Sequence, residues 1–575
     1  MYPALCRCPV LIVRCPLTPL SSPTAAFRAE LWLFIYGAER RLTATSCDFL
    51  RRLHSFEALM QTLRFPVSAF MLAIMAACAH AEAPATPEAM AARIDELLGK
   101  RWSEEKIQPA KGASDAELLR RVSLDLVGVI PTVASTRAFL ADTSPDKRAA
   151  LFQKLLESPR HASHMASVWR ARMLPEQFDP GQLQTAMGLQ NWLRRKFAEN
   201  LRYDNLVADL VSSTGSRETG PALYFTSLEL KPEKLAASTA RIFMGLQIQC
   251  AECHDHPFDH WKQEDFWGYA AFFAQLEGAG MEQQPVNPAV SVLRDRNAGD
   301  VMIPGKDDVI APRYPGGGRA NQSLGGTRRQ QLAIWLASRD NPYLARAAVN
   351  WAWAHLFGRG LVEPVDDLGD HNPPSHPVLM QELCDFFEEQ QFDIQKLLFT
   401  LCSTKAYQST SHWESDAVAP ELFAHMAVKT MTAEQHFDSL ATCLTQAEPQ
   451  GLLGGVNGDQ RRLQFITRMQ TAARSSLEYE SGPRQALQLM NGPLATEATN
   501  PQQSALLGSL EAPFFTDAQR LETLYLATLS RLPREDERVR LTPLFNKVPD
   551  AESRQRLLGD VLWAILNSAE YGLNH

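Results

Sequence analysis

Apolar residues recur every three or four positions along most of this 575-residue chain, and no other feature constrains its fold as strongly. The pattern is clearest in residues 115–127, where the apolar residues that share one helical face are Leu118, Leu119, Val122 and Leu126. The same spacing predicts further helices at residues 89–98, 132–141, 145–157, 161–172, 182–199 and 204–211. The chain is therefore expected to be mainly α.

Local signals at the ends of these segments add detail to this expectation. Ser144 and Pro145 predict an N-cap and a first helical position for the helix at 145–157. Strand-like alternation is confined to residues 222–228 and to parts of residues 288–311, so only a few short strands are expected.

A long connection divides the helical pattern into two blocks. Residues 277–327 are rich in Gly, Pro, Asn and Asp, a composition typical of loops. The predicted organisation is a helical block at 82–276, this Gly/Pro-rich linker, and a second helical block at 328–575. Residues 446–484 form a second loop-rich piece inside the C-terminal block.

The segment at residues 60–81 has the order of a secretory signal peptide. Arg64 precedes a short apolar run at 65–78, and Ala79-His80-Ala81 supplies an A-x-A cleavage site. The mature chain is therefore expected in the periplasm or outside the cell, with a lipoprotein acylated at Cys78 as the alternative. Because residues 1–59 show no sustained pattern, we interpret them as an upstream extension with Met60 as the true initiator.

Composition excludes several classes of protein. The net charge of −8 argues against a nucleic-acid partner, which would require clustered Lys and Arg. After residue 81 the sequence contains no apolar run of 18 residues, so no transmembrane anchor is expected once the signal peptide is cleaved. Five of the ten cysteines lie beyond that point, and an odd number excludes a framework in which all of them are paired.

The most informative motif is a CxxCH sequence formed by Cys250, Cys253 and His254. Two thiols at this spacing can form thioethers to the vinyl groups of a porphyrin, while the next imidazole ligates the iron. The motif therefore predicts covalently attached haem c, and export would place the motif where haem attachment occurs.

Two other interpretations of the same segment remain open. His254, His256, Asp259 and His260, with or without the two thiols, offer ligands for Zn²⁺ or non-haem Fe. Alternatively, Cys250 and Cys253 form a disulfide or a redox pair in an oxidising compartment.

A secondary polar site is predicted in the second block. Arg346, Asn350 and Trp353 share one face of a predicted helix that ends at Gly358, and they form either a binding groove or an aromatic core stripe. Further along the chain, Asp367, His371 and His376 can bind a cation or perform acid–base chemistry, or belong to a loop that caps the next helix.

These motifs resemble two families that occur together. The first half is similar to DUF1549, a planctomycetal cytochrome-c-like domain, through Leu119-Arg-Arg-Val-Ser-Leu-Asp-Leu-Val-Gly and Cys250-Ala-Glu-Cys-His-Asp-His-Pro-Phe-Asp. The second half is similar to DUF1553 through Phe357-Gly-Arg-Gly-Leu-Val and Pro374-Ser-His-Pro.

The motif and the predicted export lead us to expect a c-type-cytochrome-like protein of unknown specific role that binds haem covalently at CxxCH for electron transfer. The resemblance itself implies no biochemical activity, and this chain, with one CxxCH, is expected to lack the separate haem-binding domain to which relatives are often fused. The sequence also leaves room for a secreted non-haem metal-dependent enzyme or substrate-binding component, or for a helical scaffold. By resemblance, the expected partner is a secreted sulfatase/phosphatase-like protein of the DUF1501 type, or a redox partner.

Overall fold

A computed structural model describes residues 86–174, 187–216, 220–279, 292–320, 325–413, 418–445, 460–469, 477 and 482–575. These residues are mainly helical with a few short strands, which confirms the predicted fold class. The predicted upstream extension (1–59) and signal peptide (60–81), including Cys78, lie outside the described residues.

The first block is a succession of short helices. They are α1 (Pro87–Glu104), α2 (Asp115–Val127), α3 (Val133–Ala141), α4 (Lys147–Leu156), α5 (Pro159–Met173), α6 (Met187–Ala198), α7 (Tyr203–Val211), α8 (Ala222–Ser227), α9 (Pro232–Thr239) and α10 (Gln263–Ala270). Between α9 and α10 lie a π-helical turn, Ala240–Met244, and a 3₁₀ turn, Ile248–Glu252.

Side-chain caps define where several of these helices begin. The hydroxyl of Ser114 accepts a hydrogen bond from the backbone N–H of Glu117 at the start of α2, because the first N–H groups of a helix have no partner within it. The expected cap at Ser144 is wrong, since α4 begins only at Lys147. The backbone N–H of Ser144 instead donates to the Asp142 carboxylate, 2.8 Å away.

The strands form small antiparallel sheets. They are β1 (Gly215–Ser216), β2 (Leu276–Ala279), β3 (Val292–Asp295), β4 (Val301–Met302), β5 (Val309–Ile310), β6 (Lys429–Thr430) and β7 (Leu573–Asn574). β3 lies between β1 and β2, with Leu293 opposite both Gly215 and Gly278. The strands expected within 288–311 are confirmed, whereas the one expected at 222–228 is helix α8. Residues 222–225 of this helix are all buried. A half-exposed strand would instead place successive side chains alternately in the core and in solvent.

The second block continues the helical pattern. Its helices are α11 (Arg328–Leu336), α12 (Leu344–Phe357), α13 (Pro377–Glu389), α14 (Ile394–Ser403), α15 (Ala433–Thr445), α16 (Gln460–Met469), α17 (Pro483–Asn491), α18 (Pro493–Thr499), α19 (Ala505–Ser509), α20 (Asp517–Leu529), α21 (Glu535–Phe545), α22 (Ala551–Leu566) and α23 (Ala569–Gly572). As predicted, α12 ends at Gly358, whose φ of 86° is left-handed. Helix α16 lies inside the segment that was expected to be loop-rich, 446–484.

Packing crosses the connection between the two sequence blocks. Helix α1 packs against α14, and the indole N–H of Trp102 donates to the Leu422 carbonyl at 2.7 Å. A second apolar core is built mainly by residues after 431, yet it includes Leu124 and Ile130 from the first block. The linker therefore separates the blocks in sequence, whereas Ala83–His575 is one compact unit.

A buried polar network also joins the two blocks. The Asp125 carboxylate accepts hydrogen bonds from Lys429 Nζ at 2.6 Å, Tyr407 Oη at 2.9 Å and Asn574 Nδ2 at 2.7 Å. Lys429 Nζ also donates to the carbonyls of His355 and Leu356. Burial of both charged groups is tolerated because each one is fully paired.

No helix in the described part of the chain combines the length and the apolar character that crossing a membrane requires.

Candidate metal centre

The CxxCH segment forms an exposed turn on the surface. The 3₁₀ turn Ile248–Glu252 carries Cys250, and Cys253 follows it directly. Both cysteines are exposed free thiols, so the two are not joined in a disulfide here. His254 is exposed too, and its Nδ1 lies 2.7 Å from the Asp255 carbonyl oxygen, an orientation that leaves Nε2 open to solvent.

The described residues of this turn bear on the haem interpretation. A porphyrin has two broad apolar faces that a protein normally covers with apolar side chains. Ile248 and Ala251 of the turn are buried, whereas Asp255 is exposed and Phe258 has 80% of its surface exposed. Both cysteines and His254 are exposed, and haem attachment stays a prediction from the motif.

The segment after the turn is folded into a tight loop. The backbone N–H of His256 donates to the Trp261 carbonyl at 2.8 Å, and that of Phe258 donates to His256 Nδ1 at 3.3 Å. At the end of the loop, the Asp255 carboxylate accepts the backbone N–H of Gln263, the first residue of α10. These bonds fix the backbone that carries Asp259 and His260.

A second loop, residues 360–372, is held in place by the buried side chain of Asn350 on α12. Its Nδ2 donates to the carbonyls of Val362 and Val365, both at 3.0 Å, and its Oδ1 accepts the Val362 N–H at 2.9 Å. A Cβ at Gly360 would lie only 2.8 Å from Asn350 Oδ1. Asn350, predicted as part of a polar site, therefore positions this loop.

Residues in and just after the π-helical turn hold the second loop in place. The Leu368 N–H donates to the Gly245 carbonyl at 2.7 Å. A Cβ at Gly245, whose φ is 65°, would lie 2.4 Å from the Leu368 side chain. The Asp366 carboxylate accepts from Arg241 at 3.1 Å and from Gln247 at 3.3 Å. These contacts bring carboxylates and imidazoles of both loops together.

The result is a cluster of His and Asp side chains that we call the His/Asp cluster, formed by Asp259, His260, Asp367, Asp370 and His371. His260 Nδ1 lies 2.7 Å from Asp259 Oδ1 and 3.4 Å from Asp370 Oδ2. His371 lies between two carboxylates, with Nδ1 3.6 Å from Asp259 Oδ2 and Nε2 3.2 Å from Asp367 Oδ2. One ligand atom each from Asp259, His260 and Asp370 lies within 4.8 Å of the others.

The cluster is buried at its base and open at its mouth. The Asp259 side chain is only 4% exposed, whereas those of His260 and Asp370 are 56% and 87% exposed. Burial alone would raise the pKa of Asp259, but the backbone N–H of His260 and the imidazoles of His260 and His371 hold that pKa below its ordinary value. The Asp259 carboxyl group is therefore ionised at neutral pH.

Gly369 makes the close approach of the two loops possible. A Cβ at this position would lie 2.6 Å from both Asp259 Oδ2 and His371 Cε1. Any larger residue must displace one of these side chains, so the observed arrangement of the cluster requires glycine at this position.

The donor set fits a borderline divalent metal ion. Mixed imidazole and carboxylate ligands suit Zn²⁺, Fe²⁺ or Mn²⁺ better than Ca²⁺. Ligand atoms on one such ion are at most about 4.4 Å apart, a separation that the exposed side chains can reach by small rotations. Within the described residues, the atoms gathered this closely do not include the predicted ligands Cys250, Cys253 and His254. His256 flanks the cluster, its ring 6.3 Å from that of His371.

The other predicted residues of the second block are mainly structural. Trp353 is fully buried and stacks on Phe357 with 4.3 Å between ring centroids, as the core-stripe interpretation expected. Arg346 is half-buried on the same helix. His376 is buried beside Phe423, and its pKa is lowered to about 4 by burial. Among the described residues, no contact joins His376 to the His/Asp cluster.

Asp370 directly precedes His371 and is one of the three carboxylates in the loop that carries the predicted residues Asp367, His371 and His376. One residue of the site was missed by sequence reasoning. Tyr343 lies at the start of α12, with its ring 6.4 Å from that of Trp261. The Trp261 ring in turn contacts His260 in a tilted arrangement, with 4.3 Å between the ring centroids. Burial raises the pKa of Tyr343, as does the negative charge of Asp370. No sequence signal connects Tyr343 with the cluster, because packing alone brings it there.

Comparison with known proteins agrees with the resemblance drawn from the motifs. A family described as "Protein of unknown function (DUF1549)" matches residues 93–278, which include the CxxCH turn. A second, "Protein of unknown function (DUF1553)", matches residues 328–462, which include the second loop. No curated protein and no solved structure matches the chain. The chain thus belongs to the proteins that join a DUF1549 domain to a DUF1553 domain, and its His/Asp cluster lies where the two domains meet.

Proposed function

We propose that this protein is a non-haem metal-dependent enzyme whose metal ion is held by Asp259, His260 and Asp370, with His371 beside it. The observation that carries the proposal is the gathering of these ligand atoms within 4.8 Å by two loops that are far apart in sequence. A surface salt bridge needs only two partners, whereas this site gathers three carboxylates and two imidazoles.

The open mouth of the cluster supports a catalytic rather than a structural metal. Structural sites are closed by four protein ligands, while catalytic sites keep a position for water or substrate. Here the exposed side chains of His260 and Asp370 leave one side of the site facing solvent. A divalent ion at this position would polarise a substrate oxygen or a water molecule, which is the chemistry of metal-assisted hydrolysis.

Export and partnership remain part of the proposal as predictions from sequence. The predicted signal peptide places the enzyme in the periplasm or outside the cell. A DUF1501 protein of the sulfatase/phosphatase-like class, expected by resemblance, is a partner consistent with hydrolytic chemistry.

Metal binding is tested with purified protein by elemental analysis and by titration with Zn²⁺ and Mn²⁺. We expect one equivalent of metal, and an affinity reduced at least about tenfold in His260→Ala and in Asp370→Ala. His412→Ala is the matched control because His412 is also exposed and lies outside the cluster. Equal affinity in all four proteins would overturn the proposal.

A glycine variant tests the geometry without removing a ligand. In Gly369→Ala the new methyl group must displace Asp259 or His371, so we expect weaker metal binding with a circular-dichroism spectrum like that of the wild type. The matched control is Gly99→Ala in α1, where a Cβ meets no atom within 4 Å. Unchanged metal affinity in Gly369→Ala would place the metal elsewhere.

A further inference from the structure

We propose that Cys250 and Cys253 form a thiol pair that exchanges reversibly with disulfides, an activity separate from the metal centre. The structure presents both side chains as exposed free thiols.

The backbone places the two sulfur atoms on one side of the chain. Cys250 lies in the 3₁₀ turn Ile248–Glu252, and Cys253, which ends the turn, keeps right-handed helical dihedral angles. In a 3₁₀ helix, side chains three positions apart are eclipsed, and the axial rise between them is about 6 Å. A disulfide accepts Cα separations of about 4.4–6.8 Å, so the pair can close with little backbone movement.

Neighbouring side chains hold this turn in place. Gln263 Nε2 donates to the carbonyls of Glu252 at 3.1 Å and Cys253 at 3.0 Å. The indole N–H of Trp267 donates to the same Glu252 carbonyl at 3.0 Å. Both donors belong to α10, so the turn is fixed to a helix while its thiols face solvent.

The other described cysteines are unsuited to such exchange. Cys384, Cys402 and Cys443 are buried. Burial raises the pKa of Cys384 and of Cys443 to about 12, which keeps these thiols protonated and unreactive. Accessible thiol chemistry in the described residues is thus concentrated at Cys250 and Cys253.

The exchange needs only a disulfide-bearing partner as the oxidant. The thiolate of one cysteine attacks a partner sulfur, which forms a mixed disulfide and releases one partner thiolate. The second cysteine thiolate then attacks the mixed disulfide, so that the Cys250–Cys253 disulfide forms and the second partner thiolate leaves. Two electrons pass to the partner, and the two protons lost by the cysteines end on the two partner thiols.

Mass spectrometry of a single tryptic peptide tests the proposal. Cleavage after Arg241 and Lys262 releases residues 242–262, which contain both cysteines and no others. The full chain is equilibrated with mixtures of reduced and oxidised glutathione, quenched with acid, alkylated and digested. Under oxidising mixtures we expect this peptide to be unalkylated and lighter than its free dithiol form by two hydrogen atoms. Under reducing mixtures we expect it to carry two alkyl groups.

Variants make the result specific. Cys250→Ser and Cys253→Ser are expected to stop at the mixed disulfide with glutathione, because the resolving thiol is missing. Cys384→Ser, which changes a buried thiol, is expected to behave like the wild type. Replacing glutathione with insulin, whose disulfides join two chains, separates a protein partner from a small-molecule partner.

Three results would overturn the proposal. The first is a porphyrin on the peptide together with a Soret band of the protein. The second is that both thiols stay reduced in every glutathione mixture. The third is that the thiols resist alkylation until a chelator removes a bound metal. Each result is independent of metal binding at His260, so the two proposals can fail separately.

Discussion

At the scale of single residues, Asp125 has the most consequential set of contacts. It accepts hydrogen bonds from Lys429, Tyr407 and Asn574, and both charged side chains are at most 5% exposed. We expect Asp125→Ala to lower the free energy of unfolding by about 3–5 kcal/mol, because it leaves the Lys429 ammonium buried without its counter-ion. Urea unfolding followed by circular dichroism measures the change.

A double variant shows whether the unpaired charge is the cause. In Asp125→Ala/Lys429→Met no buried ammonium remains, so part of the lost stability should return. Tyr407→Phe, which removes one neutral donor, is expected to cost only about 1 kcal/mol. A loss below 1 kcal/mol in Asp125→Ala would contradict the assignment.

His161 makes folding sensitive to acid. Its Nδ1 lies 2.8 Å from the Leu126 carbonyl oxygen, and burial lowers its pKa from 6.5 to about 4. As the pH falls, the unfolded chain takes up a proton before the folded one does, so stability is lost between pH 6.5 and 4. Between pH 7 and 5, the wild type should lose about 2 kcal/mol more of its unfolding free energy than His161→Gln.

Urea unfolding of the two proteins at both pH values gives this difference. Glutamine is the suitable replacement because it keeps an N–H for the Leu126 carbonyl and does not titrate. Equal losses in the two proteins would show that His161 is not a source of the acid sensitivity.

At the scale of elements, α12 supports the second loop of the candidate site through one side chain. Asn350→Leu removes three hydrogen bonds and leaves the backbone groups of Val362 and Val365 without them. We expect the free energy of unfolding to fall by about 3 kcal/mol and metal affinity to fall too, although Asn350 does not contact the His/Asp cluster. Thermal unfolding and Zn²⁺ titration measure the two effects.

The comparison with Trp353→Phe separates positioning from general destabilisation. Trp353 lies on the same helix and is also fully buried, but it anchors no part of the loop. Trp353→Phe should lower the free energy of unfolding without a matching loss of metal affinity. If both variants weaken metal binding equally, the effect of Asn350 is not specific to the loop.

The elements also show what the sequence predicts and what it does not. The start of α2 at Ser114 and the end of α12 at Gly358 follow from caps, which depend on a few neighbouring residues. Helix α8 was mistaken for a strand because its burial is set by surrounding helices rather than by its own alternation. His260 and His371 were singled out from residue type, but their approach through Gly369 depends on packing between distant loops.

At the scale of the whole molecule, the DUF1549 and DUF1553 parts of the chain contribute side chains to the same apolar cores. Leu124 and Ile130 belong to the core that is built mainly by residues after 431, and α1 packs against α14. The Asp125 network adds polar contacts between the same parts of the chain. A chain cut at the linker would expose each of these surfaces to water.

We therefore expect each half to be less stable alone than when the two are joined. Fragments 83–320 and 325–575 should unfold at lower urea concentrations than residues 83–575, because each would lose apolar contacts and the first would keep Asp125 without Lys429. Urea titrations followed by tryptophan fluorescence and circular dichroism compare the three chains. A fragment 325–575 that unfolds cooperatively, with a midpoint near that of 83–575, would show that the DUF1553 part is autonomous. Metal binding then gives the functional counterpart. Since the proposed ligands come from both sides of the linker, mixing the two fragments should restore Zn²⁺ affinity only if it also restores the shared core.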